Sequence, residues 1–235
     1  MACLRNFNSK FLRNLLTVLV TIVLFTIYNS TLVQAENTNP SSDLEEDSTT
    51  NQSLTVNFRD YIPYAYFINY QYQGDQTYFD VKDMIMEYGP DTNGIFQVTA
   101  FSGQETIAYV YQIRESGLYE LASFNDYYVV EDLRYSQDAS DAMESLILPA
   151  DLRAGTQFQS GYNKEIQLTI SEIIDSYTVG GEVFSNVVKI DEKHANESFS
   201  YYYAPIYGLL VIEHTDANGL TQKVLQLVST QGQMN

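Results

Sequence analysis

The chain has 235 residues, with 30 acidic against 12 basic side chains and a formal net charge of −18. Three of the 12 basic residues and none of the 30 acidic ones fall in the first 35 positions, which leaves a formal −21 on the rest. Charge of that sign and size repels nucleic acid and anionic lipid headgroups, so neither is expected as a partner held by charge.

Arg5, Lys10 and Arg13 form a basic head, Leu15 to Tyr28 form an apolar run, and Leu32-Val33-Gln34-Ala35 places small residues where a signal peptidase reads. That order describes a secretory signal peptide cleaved after Ala35, with an uncleaved membrane anchor as the alternative. The apolar run falls short of the roughly 20 residues that span a bilayer. Export to the cell surface or the medium is therefore expected, with no membrane contact after cleavage. Cys3, the only cysteine, lies ahead of the cleavage point, so the exported part carries no thiol and no disulfide. Residues 36–53, ENTNPSSDLEEDSTTNQS, read as a disordered acidic linker.

A β-rich domain is expected over 54–229, with a short tail at 230–235. From Tyr61 the stretch YIPYAYFINYQYQG reads as an entry segment and a strand that stops at Gly74-Asp75. Tyr78 to Tyr88 fits a strand or a helix. Strands follow at Ile95 to Phe101, Thr106 to Ile113, Leu118 to Phe124 and Tyr127 to Leu133, separated by Ser102-Gly103, Ser116-Gly117 and Asn125-Asp126. Such short separators join antiparallel neighbours. A polar interval at Ser136 to Ser145 has room for one helical turn and divides the domain into halves at 54–135 and 146–229. The second half continues in the same style with LILPADLRAGTQF, EIQLTISEII, EVFSNVVKIDEK, SFSYYYAPIYG, LLVIEH and QKVLQLVS. Gly180-Gly181 and Asn218-Gly219 read as primed hairpin turns, and Pro205 with Gly208 as a kink or bulge. Pro63, Tyr72 and Gly74 are echoed by Pro149, Phe158 and Gly161, a spacing consistent with an internal duplication. The predicted fold class is all-β, an antiparallel meander forming a curved sheet or open barrel.

Three stretches occur in a distinctive order: Leu148-Pro149 with Ala154-Gly155-Thr156-Gln157-Phe158, then Val179 to Ile190, then Tyr201 to Glu213. Over roughly Ser145 to Ser229 the chain resembles a family of uncharacterised exported bacterial β-rich proteins, DUF3108-like in a broad sense. The resemblance implies an antiparallel β fold, an envelope or extracellular location, and no assigned activity. Tyr207 stands where that family usually has glycine, and Ile212 where it usually has lysine.

The chemistry-bearing residues are sparse. His194 and His214 read as exposed hairpin residues, and no G-x-S-x-G nucleophile motif accompanies them. With no H-x-H, H-E-x-x-H or cysteine cluster, no metal site and no cofactor is expected. Asp91-Thr92-Asn93-Gly94 and Asp216-Ala217-Asn218-Gly219 resemble parts of a calcium loop but lack its terminal Glu, so turn chemistry accounts for both.

Tyrosine is the remaining candidate, present 20 times in a chain without tryptophan. Tyr66, Tyr70 and Tyr72, then Tyr109 and Tyr111, then Tyr201 and Tyr203 are spaced to share strand faces. Buried, such faces are core. Exposed or lining a cavity, they bind a ligand. The sequence therefore describes a non-enzymatic binding module of the bacterial envelope, with an envelope polymer, a peptide or an apolar small molecule as candidate partners. The alternative is a carrier or sensor holding an apolar ligand inside a curved sheet, and a cell-wall polysaccharide hydrolase is the remote third.

Overall fold

Alternation of apolar and polar residues, interrupted at Gly, Asn and Asp, lays most of the chain into antiparallel strands. The computed structural model describes residues 56–103, 105–140 and 143–234. The signal segment and acidic linker lie outside the described residues. The strands are β1 (Phe67–Gly74), β2 (Lys82–Tyr88), β3 (Ile95–Ser102), β4 (Glu105–Arg114), β5 (Gly117–Phe124), β6 (Ser145–Pro149), β7 (Gln157–Ser160), β8 (Ile166–Val179), β9 (Glu182–Lys193), β10 (Ser198–Ala204), β11 (Gly208–Thr215) and β12 (Thr221–Gln233). They form one twelve-stranded antiparallel sheet in which chain neighbours pair and β1 also pairs with β12. The meander thereby curls into a nearly closed barrel whose one seam lies between β6 and β7.

Side groups, in place of a backbone ladder, hold the seam. The Ser145 and Ser160 hydroxyls meet at 3.1 Å, and Ser145 Oγ accepts the Gly161 N–H at 2.9 Å. Tyr162, just past β7, reaches across to donate to Glu120 Oε1 of β5 at 2.6 Å.

Apolar residues line the upper interior, and polar pairs lie on parts of the outer wall. Tyr70, Met84, Val98 and Ile190 face inward, while Gln71 pairs outside with Ser229, Asp191 with Ser200, and Glu213 with Tyr202. A lipid-facing barrel has the reverse polarity. Among the described residues no helix is long and apolar enough to cross a membrane.

Both mouths are partly covered. At the upper mouth a 3₁₀ turn (Phe58–Tyr61) and the residues after it turn inward. Tyr61 Oη donates to the Asn186 carbonyl, the Ile206 N–H donates to the Asp60 carbonyl, and Pro63 packs where Gly208 leaves no room for a Cβ. At the lower mouth the β1–β2 loop folds back over Gly74. Asp75 Oδ1 accepts the N–H groups of Thr77, Tyr78 and Phe79 and so fixes that fold.

Four local expectations are corrected. Tyr127 to Leu133 is a strap on the outer wall, not a strand, with α1 (Gln137–Ser140) following it. The edge of β5 is taken by β6, and the strap satisfies its backbone through side chains instead. Tyr127 Oη accepts the Glu131 N–H at 2.6 Å, and the wholly buried Gln97 accepts the Leu133 N–H through Oε1 at 2.8 Å. Pro205 to Tyr207 is the turn of the β10–β11 hairpin, not a kink within one strand. Asn218-Gly219 closes a longer loop in which Gly219 has positive φ and Asn218 does not, whereas both residues of Gly180-Gly181 have it, as a primed turn requires. The last strand runs on to Gln233, through the expected tail, because the start of β1 pairs there.

Gly208 combines a φ of 68° with a backbone neighbour at the Cβ position. Gly208→Ala should cost at least about 1–3 kcal/mol, read as a lower melting temperature; an unchanged melt would contradict this packing of the plug. Hydrogen exchange should be faster at β6 and β7 than at β3 and β4, since the seam opens without breaking a ladder. Equal protection would mean that the seam is as firm as the wall.

Candidate functional site

A barrel of about eight strands is wide enough for its side chains to fill. This one has twelve, so ordinary strand residues leave room at the centre. Large aromatic rings and the upper plug occupy that room. Register decides which rings point inward: Tyr72 lies opposite Lys82, Tyr70 opposite Met84, Tyr111 opposite Phe96 and Glu120, and Tyr203 opposite Val188. Tyr109 and Tyr201 stand two positions from Tyr111 and Tyr203, on the same faces.

Six of the seven tyrosines singled out from the sequence thus converge on the interior: Tyr70, Tyr72, Tyr109, Tyr111, Tyr201 and Tyr203. Tyr66 does not join them; it precedes β1 at the upper rim, where its N–H donates to Tyr70 Oη. Sequence spacing gave no sign of Tyr64, which comes from the plug. Its φ of 66° is unusual for a non-glycine residue, and its ring meets three others. The centroids of Tyr70, Tyr72 and Tyr111 lie 5.5, 6.5 and 6.4 Å from it, the first two edge-on. Tyr109 stacks on Tyr111 at 6.0 Å.

The lower half of the interior is polar. Lys82, opposite Tyr72 and Ser102, faces inward below the two buried methionines Met84 and Met86. Burial lowers its pKa, against the opposing pull of Asp80, Glu105 and Glu120. Glu120 is pushed up by burial, offset in part by the Tyr162 hydroxyl. Tyr109 rises to about 12, from burial first and then from the charges of Glu120 and Glu105. On the opposite wall Glu192 accepts the Tyr201 hydroxyl at 2.6 Å and meets His194 Nε2 at 2.7 Å.

His214 corrects the reading of both histidines as exposed. It is a residue of β11, only 3% exposed, with Nε2 2.9 Å from Glu197 Oε2 and its ring 4.4 Å from Tyr78 and 4.9 Å from Phe199. The inward alternation of Ile212 and His214 carries the signal, but it becomes legible only once the register is known. His194 is exposed, as read.

The interior is not sealed. Tyr64, Lys82, Tyr109, Glu120 and Tyr201 all belong to it, yet each keeps solvent-accessible surface. Among the described residues, the fully enclosed polar side-chain atoms without a partner are Asn69 Oδ1 and Thr99 Oγ1. The best-formed surface hollows, about 410 Å³ beside Lys193 to Ser198 and about 500 Å³ beside Pro90 to Gly94, are shallow and gather no comparable set of side chains. Among the described residues no three His, Cys, Asp or Glu side chains come together to hold a metal ion. No protein-family model matches the chain, and neither a curated protein nor a solved structure is significantly similar to it.

A carboxyl held above its ordinary range keeps its proton in the folded state after the unfolded chain has lost it. Stability therefore falls as pH rises from about 4.3, the ordinary glutamate value, through the folded value. Glu120→Gln removes that component, so its melting temperature should decline less than wild type over this interval. Parallel melting curves in the two proteins would contradict the placement of Glu120.

Proposed function

We propose that this is an exported, non-enzymatic binding protein of the bacterial envelope that holds a small ligand in its barrel interior, as a carrier or sensor. One observation carries the reading: tyrosine rings from β1, β4 and β10 and from the plug turn inward, and Tyr64, Tyr109 and Tyr201 among them, with Lys82 and Glu120, keep solvent-accessible surface there. Rings with hydroxyl edges offer apolar faces and hydrogen bonds together, which suits an amphipathic guest.

The location rests on the basic head, apolar run and small-residue site of the first 35 residues and on the thiol-free composition of the rest. The resemblance to exported bacterial β-rich proteins of the DUF3108 type supports the same location.

Native mass spectrometry of residues 36–235 purified gently from the natural host tests this reading. The expected spectrum contains a bound small mass that leaves on denaturation. A clean apo mass, persisting after incubation with an envelope extract of that host, would overturn it.

A further inference from the structure

The interior separates polar groups that are already partnered from groups that are not. Glu120 is bonded by Tyr162, and Glu192 by Tyr201 and His194. The Lys82 ammonium, by contrast, has no ion pair or hydrogen bond among the described residues, and it lies 6.0 Å from the centre of the Phe79 ring. The hydroxyls of Tyr109 and Tyr203 likewise have no partner there. Tyr203 is only 6% exposed, yet its hydroxyl is not among the fully enclosed atoms, so it opens onto interior space.

What remains available to a guest is therefore one ammonium with three N–H groups, a donor only, and phenolic hydroxyls that can donate or accept. We propose that the interior binds an amphiphile with a singly charged carboxylate head, which pairs with Lys82 while its apolar body lies against the tyrosine rings above. The inference rests on the reading of the interior as a ligand chamber. A carboxylate supplies the acceptor that the donor-only ammonium requires, and a charged partner suits a partly desolvated ammonium better than a neutral one. The head carries one charge because Lys82 is the one cation at this point among the described residues and stands among Asp80, Glu105 and Glu120, which repel a dianion. The polarity gradient sets the direction: Lys82 lies toward the lower mouth, and Met84, Met86, Phe96 and Val98 line the interior above it.

The test is calorimetric titration of ligand-stripped residues 36–235 with dodecanoate, 1-dodecanol and dodecyltrimethylammonium, each below its micellar concentration. Wild type should bind one dodecanoate and bind it tightest of the three. Lys82→Met should weaken dodecanoate at least tenfold and leave dodecanol unchanged, while Lys82→Arg should retain dodecanoate binding. Undiminished dodecanoate affinity in a folded Lys82→Met protein would overturn the assignment. So would tighter binding of dodecanol or of the ammonium chain by wild type, a result that decides the matter even if Lys82→Met does not fold and that leaves the chamber standing. Failure of all three probes overturns the proposed head group, and the mass spectrum of host-purified protein then shows whether the chamber fails with it.

Discussion

The pairing of β1 with β12 is the constraint on which everything else depends. Without it, twelve strands would form an open sheet with both chain ends at free edges, and a sheet of that width curls or splits. Joining first strand to last moves the open junction to the middle of the chain, between two short strands. There the closure is made by two serine hydroxyls and by one tyrosine reaching over to a carboxyl. The wall is thus firm where the ladders run and weakest where β6 meets β7. Six strands lie on each side of that junction; the echoed Tyr72 and Phe158 belong to the opening strands of the two sets, with Gly74 ending the first and Gly161 just past the second.

Closure also decides what becomes of the tyrosines. A barrel of this strand number encloses more space than aliphatic side chains fill, and the chain meets that problem in two ways. It sends its own N-terminal segment into the upper mouth, with Pro63 against Gly208 and Tyr64 hanging among the rings. It also lines the remaining space with residues large enough to approach the centre. Because a phenol must satisfy a hydroxyl as well as bury a ring, the interior acquires polar chemistry that an aliphatic core would lack. Some hydroxyls find carboxylates, and those carboxylates are then raised or held in place by burial. Others, together with Lys82, are left facing open space.

Much of the architecture was legible in the sequence. Period-two alternation and Gly, Asn and Asp separators marked most of the strands, because half-buried pleated surfaces and positive-φ turns impose those patterns locally. Tyr127 to Leu133 misled for the same reason: its aromatic and β-branched content fits a strand, but no edge was free to pair with it. The tyrosine faces at 70 and 72, 109 and 111, and 201 and 203 were legible as pairs two residues apart. Tyr64, Lys82, Glu120 and His214 were not, because nothing in a single strand tells which of its faces is enclosed.

The sequence by itself determined the class of the protein: a strongly acidic chain of antiparallel strands rich in tyrosine. Those features depend on composition and on periodicities within a few residues, which act before any long-range contact forms. Only the tertiary structure decided that the sheet nearly closes, that six of the candidate tyrosines share one interior, and that a lysine and two phenols there have no partner among the described residues. These depend on register between strands far apart in the chain and on the width of the closed ring, and neither is encoded in any local stretch.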